Sequence, residues 1–142
     1  TIAWGADVSE KGFSFKNGLA IVPADPAMIE VIGKDDKRFN DAGAERKSNA
    51  FMEPMKELTI TPELRQKGYD NKTTTDDHGM HIVGIFTDQN GTRYFLVKNS
   101  WGTSNMPKGY LYVSESYFKY KTINIYLHKE GIPQSVKTKL KF

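Results

Sequence analysis

The sequence predicts an α+β fold whose second half is mostly antiparallel sheet, and three observations lead there. Two strand-like runs, His78–Thr87 and Thr92–Lys98, flank Asp88-Gln89-Asn90-Gly91, where an Asn-Gly pair supplies the positive φ of a hairpin turn. Two more strand-like stretches, Gly109–Val113 and Thr122–His128, follow at close spacing. The helix signals are all short. A chain of 142 residues has room for a single domain or part-domain spanning 1–142, with one hydrophobic core.

Taken in order, Ile2 to Val8 reads as a strand with Ile2 and Trp4 on one parity, followed by the turn composition Ser9-Glu10-Lys11-Gly12. Thr1 opens directly on this strand with no charged lead-in, so the start is expected to be internal to a longer protein. From Phe13 to about Asn49 the pattern weakens. Pro23 and Pro26 break any helix, and Lys34-Asp35-Asp36-Lys37-Arg38 is a mixed charge run expected on a solvated face. Glu53-Pro54 to Leu58 is ambiguous between elements. Thr61 to Gly68 carries an N-cap threonine, a proline at the first helical position and a glycine after the last, which predicts a helix of at most two turns. Asp70–Asp77, rich in threonine and free of large apolar residues, is expected to be a linker-like, exposed segment delivering the chain to His78. Beyond the third strand, Ser114-Glu115-Ser116-Tyr117-Phe118 predicts a capped helical turn. The tail 134–142 alternates lysine with apolar or small residues, as in a guarded edge strand or a frayed end.

Composition excludes several chemistries. The absence of cysteine removes disulfides, thiolate metal sites and a cysteine nucleophile from this chain. No run approaches the 18 to 20 apolar residues of a membrane span. A net charge of +3, spread among interspersed acidic residues, does not call for nucleic acid. The unusual feature is a catalysis-capable polar residue at each end of the hairpin, His78 and Asn99. An imidazole can take a nucleophile's proton, and an asparagine carbonyl can accept the other ring N–H and orient the base. A turn centred on Asn90-Gly91 pairs positions summing to about 181, which sets His78 opposite about position 103. Asn99 then lies four residues away, on the order of 13 Å along an ideal strand. A bulge, a bend or a longer loop must close that gap. His81, offset by three, points to the opposite face of its strand. Asp76, Asp77, His78 and His81 offer metal-ligand chemistry, but consecutive strand residues diverge, so no metal or cofactor is expected. His128 is expected to face solvent.

The segment Asp77-His78-Gly79-Met80-His81-Ile82-Val83-Gly84-Ile85 resembles the histidine motif of papain-like cysteine peptidases. Tyr94-Phe95-Leu96-Val97-Lys98-Asn99-Ser100-Trp101-Gly102, closed by Gly109-Tyr110, resembles their asparagine motif. Trp4-Gly5-Ala6-Asp7-Val8 and the stretch from Gly109-Tyr110-Leu111 through Tyr117-Phe118 to Ile132-Pro133 are most similar to the bleomycin hydrolase and aminopeptidase C branch. The resemblance is thin over about 13–58. It implies the C-terminal, His/Asn-bearing half of such a peptidase, with a partly barrel-like antiparallel sheet and a few short helices. It also implies His78 as the base, Asn99 as its orienting partner and Trp101 as the indole shielding their hydrogen bond. The cysteine and the oxyanion-binding glutamine would come from an N-terminal half, this chain alone would be inactive, and the substrate would be a peptide. In that branch a C-terminal arm enters the cleft and its carboxylate holds the substrate's amine, a role open to Phe142 if it is the true end. The compartment would be cytoplasmic if like that branch, and a homo-oligomer is possible.

Two rival readings stand beside this one. A non-catalytic papain-like module, used for binding or scaffolding, would have lost the cysteine outright. Nucleic-acid binding through the lysines at 119, 121, 129, 137, 139 and 141 ranks last, and steep salt dependence would be its signature.

Overall fold

The computed structural model describes residues 2–29 and 49–141. Its centre is a seven-stranded sheet in the order β2-β3-β6-β5-β4-β1-β7. The strands are β1 (Ile2–Ala6), β2 (Phe13–Ser14), β3 (Leu19–Ala20), β4 (His78–Thr87), β5 (Arg93–Lys98), β6 (Tyr110–Ser114) and β7 (Thr122–Tyr126). Every neighbouring pair is antiparallel except β3 and β6. The sheet curls into a half-barrel, so the sequence-based α+β class with a partly barrel-like sheet describes the molecule.

Alternation decides which side chains fill the curl. Trp4 and Ala6 of β1, Met80 and Ile82 of β4, Val97 of β5, and Leu111 and Val113 of β6 point inward and are buried. Helix α3 (Glu115–Lys121) packs against this face, with Tyr117 buried among the same residues and Phe118 against Trp4 and Phe95. Ser114 starts α3 as its N-cap, accepting from the Tyr117 N–H at 3.1 Å, as the sequence predicts. A smaller cluster of Ile21, Ala50 and Phe51 lies beside the short helix α1 (Asn49–Met52).

Several expectations need revision. Helix α2 runs Pro62–Asp70, longer than two turns, and Gly68 lies inside it instead of ending it. A Cβ at Gly68 would approach Thr74 Oγ1 to 3.0 Å, so close packing accounts for the glycine. The 70–77 segment is mostly exposed, yet Asp70 is helical, Thr74 is buried, and the segment is tied to the core by hydrogen bonds described below. The tail forms helix α4 (Gln134–Leu140), neither an edge strand nor a frayed end; Val136 and Leu140, four apart on it, are both exposed. Lysine and leucine are good helix formers, and Pro133 precedes the first turn. His128 is exposed but caps the 3₁₀ turn Lys129–Gly131, its Nδ1 accepting from the Glu130 N–H at 3.4 Å. The charge run 34–38, Thr1 and Phe142 lie outside the described residues. No helix of the described residues is long and apolar enough to cross a membrane.

Leu111 has no solvent exposure at the centre of the curl. Leu111→Ala is expected to lower unfolding stability by about 2–5 kcal/mol in chemical denaturation of the protein that carries this chain.

Candidate functional site

The hairpin brings His78 and Asn99 together through two departures from an ideal pair. Its loop holds five residues, because Thr87 pairs with Arg93, so opposed positions sum to 180 near the turn instead of about 181. A bulge between Ile82 and Gly84 then shifts the register, and His81 pairs with Lys98, a sum of 179. Continued to the strand's start, this places His78 opposite position 101, with Asn99 its diagonal neighbour on the same face. Diagonal neighbours are about 7–8 Å apart, within reach of two such side chains. His78 Nε2 lies 2.7 Å from Asn99 Oδ1.

A backbone group decides the orientation of that bond. The Ser100 N–H donates to Asn99 Oδ1 at 2.7 Å, so the amide must present its oxygen, since a flipped amide would set N–H against N–H. His78 Nε2 is therefore the donor to the same oxygen, and a neutral ring carries its lone pair on Nδ1. Among the described residues Nδ1 makes no hydrogen bond, so it is the ring atom available to take a proton. The orientation leaves Asn99 Nδ2 buried without an acceptor among the described residues, a cost of about 1–3 kcal/mol. Asn99 is only 8% exposed, so water does not compete freely for its oxygen.

Trp101 lies against the His78 ring. Its ring centroid is 4.7 Å from that of His78 with the planes 32° apart. Phe13 and Phe15 hold the indole edge-on, with centroids at 5.8 and 5.5 Å. The loop that carries Trp101 is clamped at its base by the buried Asn105, which donates to the Tyr110 carbonyl at 2.6 Å and accepts from the Gly109 N–H at 2.7 Å. Gly109 has φ +80, and a Cβ there would meet the Gly102 carbonyl at 3.1 Å, which requires glycine. The Gly109 carbonyl accepts from the Asn99 N–H at 2.9 Å, fixing the residue that orients His78. His81 is exposed on the opposite face of β4, as parity requires. Asp76 and Asp77 do not join His78 and His81 in a ligand cluster; among the described residues no group of three or more suitable side chains converges on a metal position.

Behind the site lies a charged cluster that sequence reasoning missed. Lys121, on α3 and 3% exposed, directs its ammonium to Asp7 Oδ2 at 3.3 Å, to Glu10, to the Thr73 carbonyl at 2.7 Å and to Thr74 Oγ1 at 3.2 Å. Asp7 also accepts from the Ser9 and Thr75 N–H groups at 3.0 and 3.3 Å. Ser9 N–H further reaches Asp77 Oδ2 at 3.2 Å, and Thr75 Oγ1 donates to Asp77 Oδ1 at 2.8 Å. The segment leading into His78 is thus tied to β1 and α3 by charge and backbone hydrogen bonds. Burial pushes the Asp7 carboxyl up to about 6, with the neighbouring Asp77 adding to the rise and Lys121 opposing it. Asp77 is held below its ordinary range by hydrogen bonds from Thr75, Asp7 and Ser9, which outweigh its partial burial. A lysine amid ordinary surface lysines carries no sequence mark of burial, and only the tertiary fold brings position 121 to position 7.

With this geometry in hand, comparison with known proteins is decisive on family. A model described as Peptidase C1-like family matches residues 57–142. The chain belongs to this family. The matched span contains the papain-like His and Asn motifs. Cathepsin L of Sarcophaga peregrina is 34% identical over 93 residues, 56% of this chain and 27% of that protein. Aminopeptidase W of Lactobacillus delbrueckii subsp. lactis is 33% identical over 64 residues, 45% of this chain and 15% of that protein. The crystal structure of PepW from Lactobacillus rhamnosis HN001 matches 99% of this chain and 25% of its own with a TM-score of 0.57 at 18% identity, a likeness of fold. The chain therefore spans about a quarter or less of these family members.

Lys121→Met would leave the enclosed Asp7 carboxylate without its cation. We expect a loss of about 3–5 kcal/mol in denaturant unfolding. The exposed pair of Lys119 with Glu115 is the control, and Lys119→Met should change stability by less than about 1 kcal/mol. Because the folded Asp7 carboxyl binds its proton more tightly than the ordinary 3.8, its contribution is full below that value and is lost as pH rises through about 6. The stability of Asp7→Asn relative to the parent should accordingly improve between pH 4 and pH 7, as unfolding at the two pH values would record.

Proposed function

We propose that this chain supplies the base-bearing half of a papain-like cysteine peptidase, most like the aminopeptidases of its family. The observation that carries the reading is the His78–Asn99 bond in an orientation that leaves Nδ1 as the proton acceptor. A thiol from elsewhere in the complete protein would give its proton to His78 Nδ1, and the thiolate would add to the scissile carbonyl of a peptide. His78 would then return the proton to the leaving amine, and water would release the acyl group with the same residue as base. Asn99 acts on the ring's orientation, and Trp101 keeps water from their hydrogen bond. The cysteine and an oxyanion-binding glutamine are assigned to the N-terminal half, because this chain contains no cysteine. The aminopeptidase names among its relatives favour cleavage at peptide N-termini. The cysteine-free sequence equally motivates a second reading, a papain-like module that binds without catalysis.

Peptidase assays on the complete protein separate the two. Turnover of an aminoacyl substrate, lost on thiol alkylation and reduced about 10²–10⁴-fold in kcat by His78→Ala, is the expected result. Asn99→Ala should lower kcat more than it raises KM, and Trp101→Ala less severely. A complete protein that folds, has no cysteine facing His78 and turns over no peptide would leave the binding module.

A further inference from the structure

A second cavity, of about 390 Å³, lies at the hairpin end of the sheet, walled by Leu19, Ile21, Phe51, Phe86, Tyr94 and Tyr112. Eight residue steps along β4, on the order of 26 Å of strand, lie between His78 and the nearest wall residue of that strand, Phe86. Its size suits a small organic molecule, and its wall is mainly aromatic and aliphatic. Three carboxylates break that apolar lining, the exposed Glu53 and the half-buried Glu57 and Asp88.

Neither Glu57 nor Asp88 has a cation among the described residues. Glu57 Oε2 accepts from Ser114 Oγ at 2.5 Å and from the Val22 N–H at 3.2 Å, both neutral donors. Asp88 Oδ1 accepts from the Asn90 and Thr92 N–H groups at 2.9 and 2.8 Å, which fixes the side chain in its turn. Its Oδ2 is wholly buried and accepts nothing among the described residues. Burial pushes Glu57 above its ordinary range, and the charge of Asp88 adds to this. The Tyr94 hydroxyl is pushed up to about 12 by burial and then by both carboxylates, so the three groups share one electrostatic environment. A buried carboxylate oxygen is normally met by a donor or a counter-charge. Here an aromatic wall and an unmatched negative edge occur together, the complement of a cation carried on an apolar stem.

We propose that this cavity is a binding site for a small protonated amine on an aromatic or aliphatic stem, with the ammonium between Glu57 and Asp88 and the stem against Phe51, Phe86 and Tyr94. The ammonium's N–H groups meet the open positions of Glu57, the negative charge of Asp88 adds to the attraction, and the aromatic rings favour a cation near their faces. The site is separate from the His78 reaction and does not depend on it.

Calorimetric titration of the complete protein with phenethylamine, and with 2-phenylethanol as its uncharged counterpart, tests this. The amine is expected to bind at least about tenfold more tightly than the alcohol. Its affinity should rise with pH as Glu57 ionises, since a protonated carboxyl offers no charge to the ammonium. Glu57→Gln and Asp88→Asn should each weaken the amine at least about tenfold, while His78→Ala leaves it unchanged. Asp88→Asn keeps the oxygen that accepts from the turn, so it carries the test if Glu57→Gln fails to fold. Absence of amine binding, equal binding of the alcohol, or binding abolished by His78→Ala and untouched by Asp88→Asn would overturn the proposal.

Discussion

The site depends on one oxygen atom. Asn99 Oδ1 accepts from both the Ser100 N–H and His78 Nε2, and each bond explains the other. The backbone N–H cannot move without moving the chain, so it dictates the amide's orientation and, through it, the ring nitrogen that carries the proton. Much of the surrounding structure maintains this arrangement. The β4 bulge sets the register, Asn105 and Gly109 hold the chain after β5, and Phe13 and Phe15 brace the tryptophan that lies against the His78 ring. Among the described residues Asn99 Nδ2 is left without an acceptor by this choice, one unmet donor set against an oxygen that serves two.

The second constraint is electrostatic. Asp7 leaves β1 close to where β4 begins, and Lys121 reaches it from the end of α3, so three elements distant in sequence meet at one buried ion cluster. Tyr117 of the same helix donates its hydroxyl to the Asp7 carbonyl at 2.8 Å, so α3 grips this point by both an aromatic and a charged residue. The 70–77 segment is held here as well, through Thr73, Thr74 and Thr75. Its polar composition makes it look like a linker, but polarity is what allows it to satisfy a buried ammonium and carboxylate.

Local signals in the sequence carry the hairpin, the capped start of α3 and the two motifs around His78 and Asn99. Their failures have physical causes. Helix α2 runs past Gly68 because that glycine serves packing against Thr74, and glycine at a cap and glycine at a close contact look alike in one dimension. In the tail, alternation of lysine with small or apolar residues satisfies a short strand and an exposed helix alike, so composition does not separate them. The gap between His78 and Asn99 could not be closed from spacing, since one extra loop residue and one bulge leave no distinct composition. Lys121 and the Glu57–Asp88 cavity were invisible because burial of a charge is a property of the assembled fold.

The central claim, that Asn99 fixes His78 as an Nε2 donor with Nδ1 free for the nucleophile's proton, is tested most directly by ¹⁵N NMR of the His78 ring in the complete protein. At a pH where the ring is neutral, a protonated Nε2 and an unprotonated Nδ1 are predicted, with the preference lost in Asn99→Ala. A proton resident on Nδ1, or a tautomer ratio indifferent to Asn99, would contradict the account.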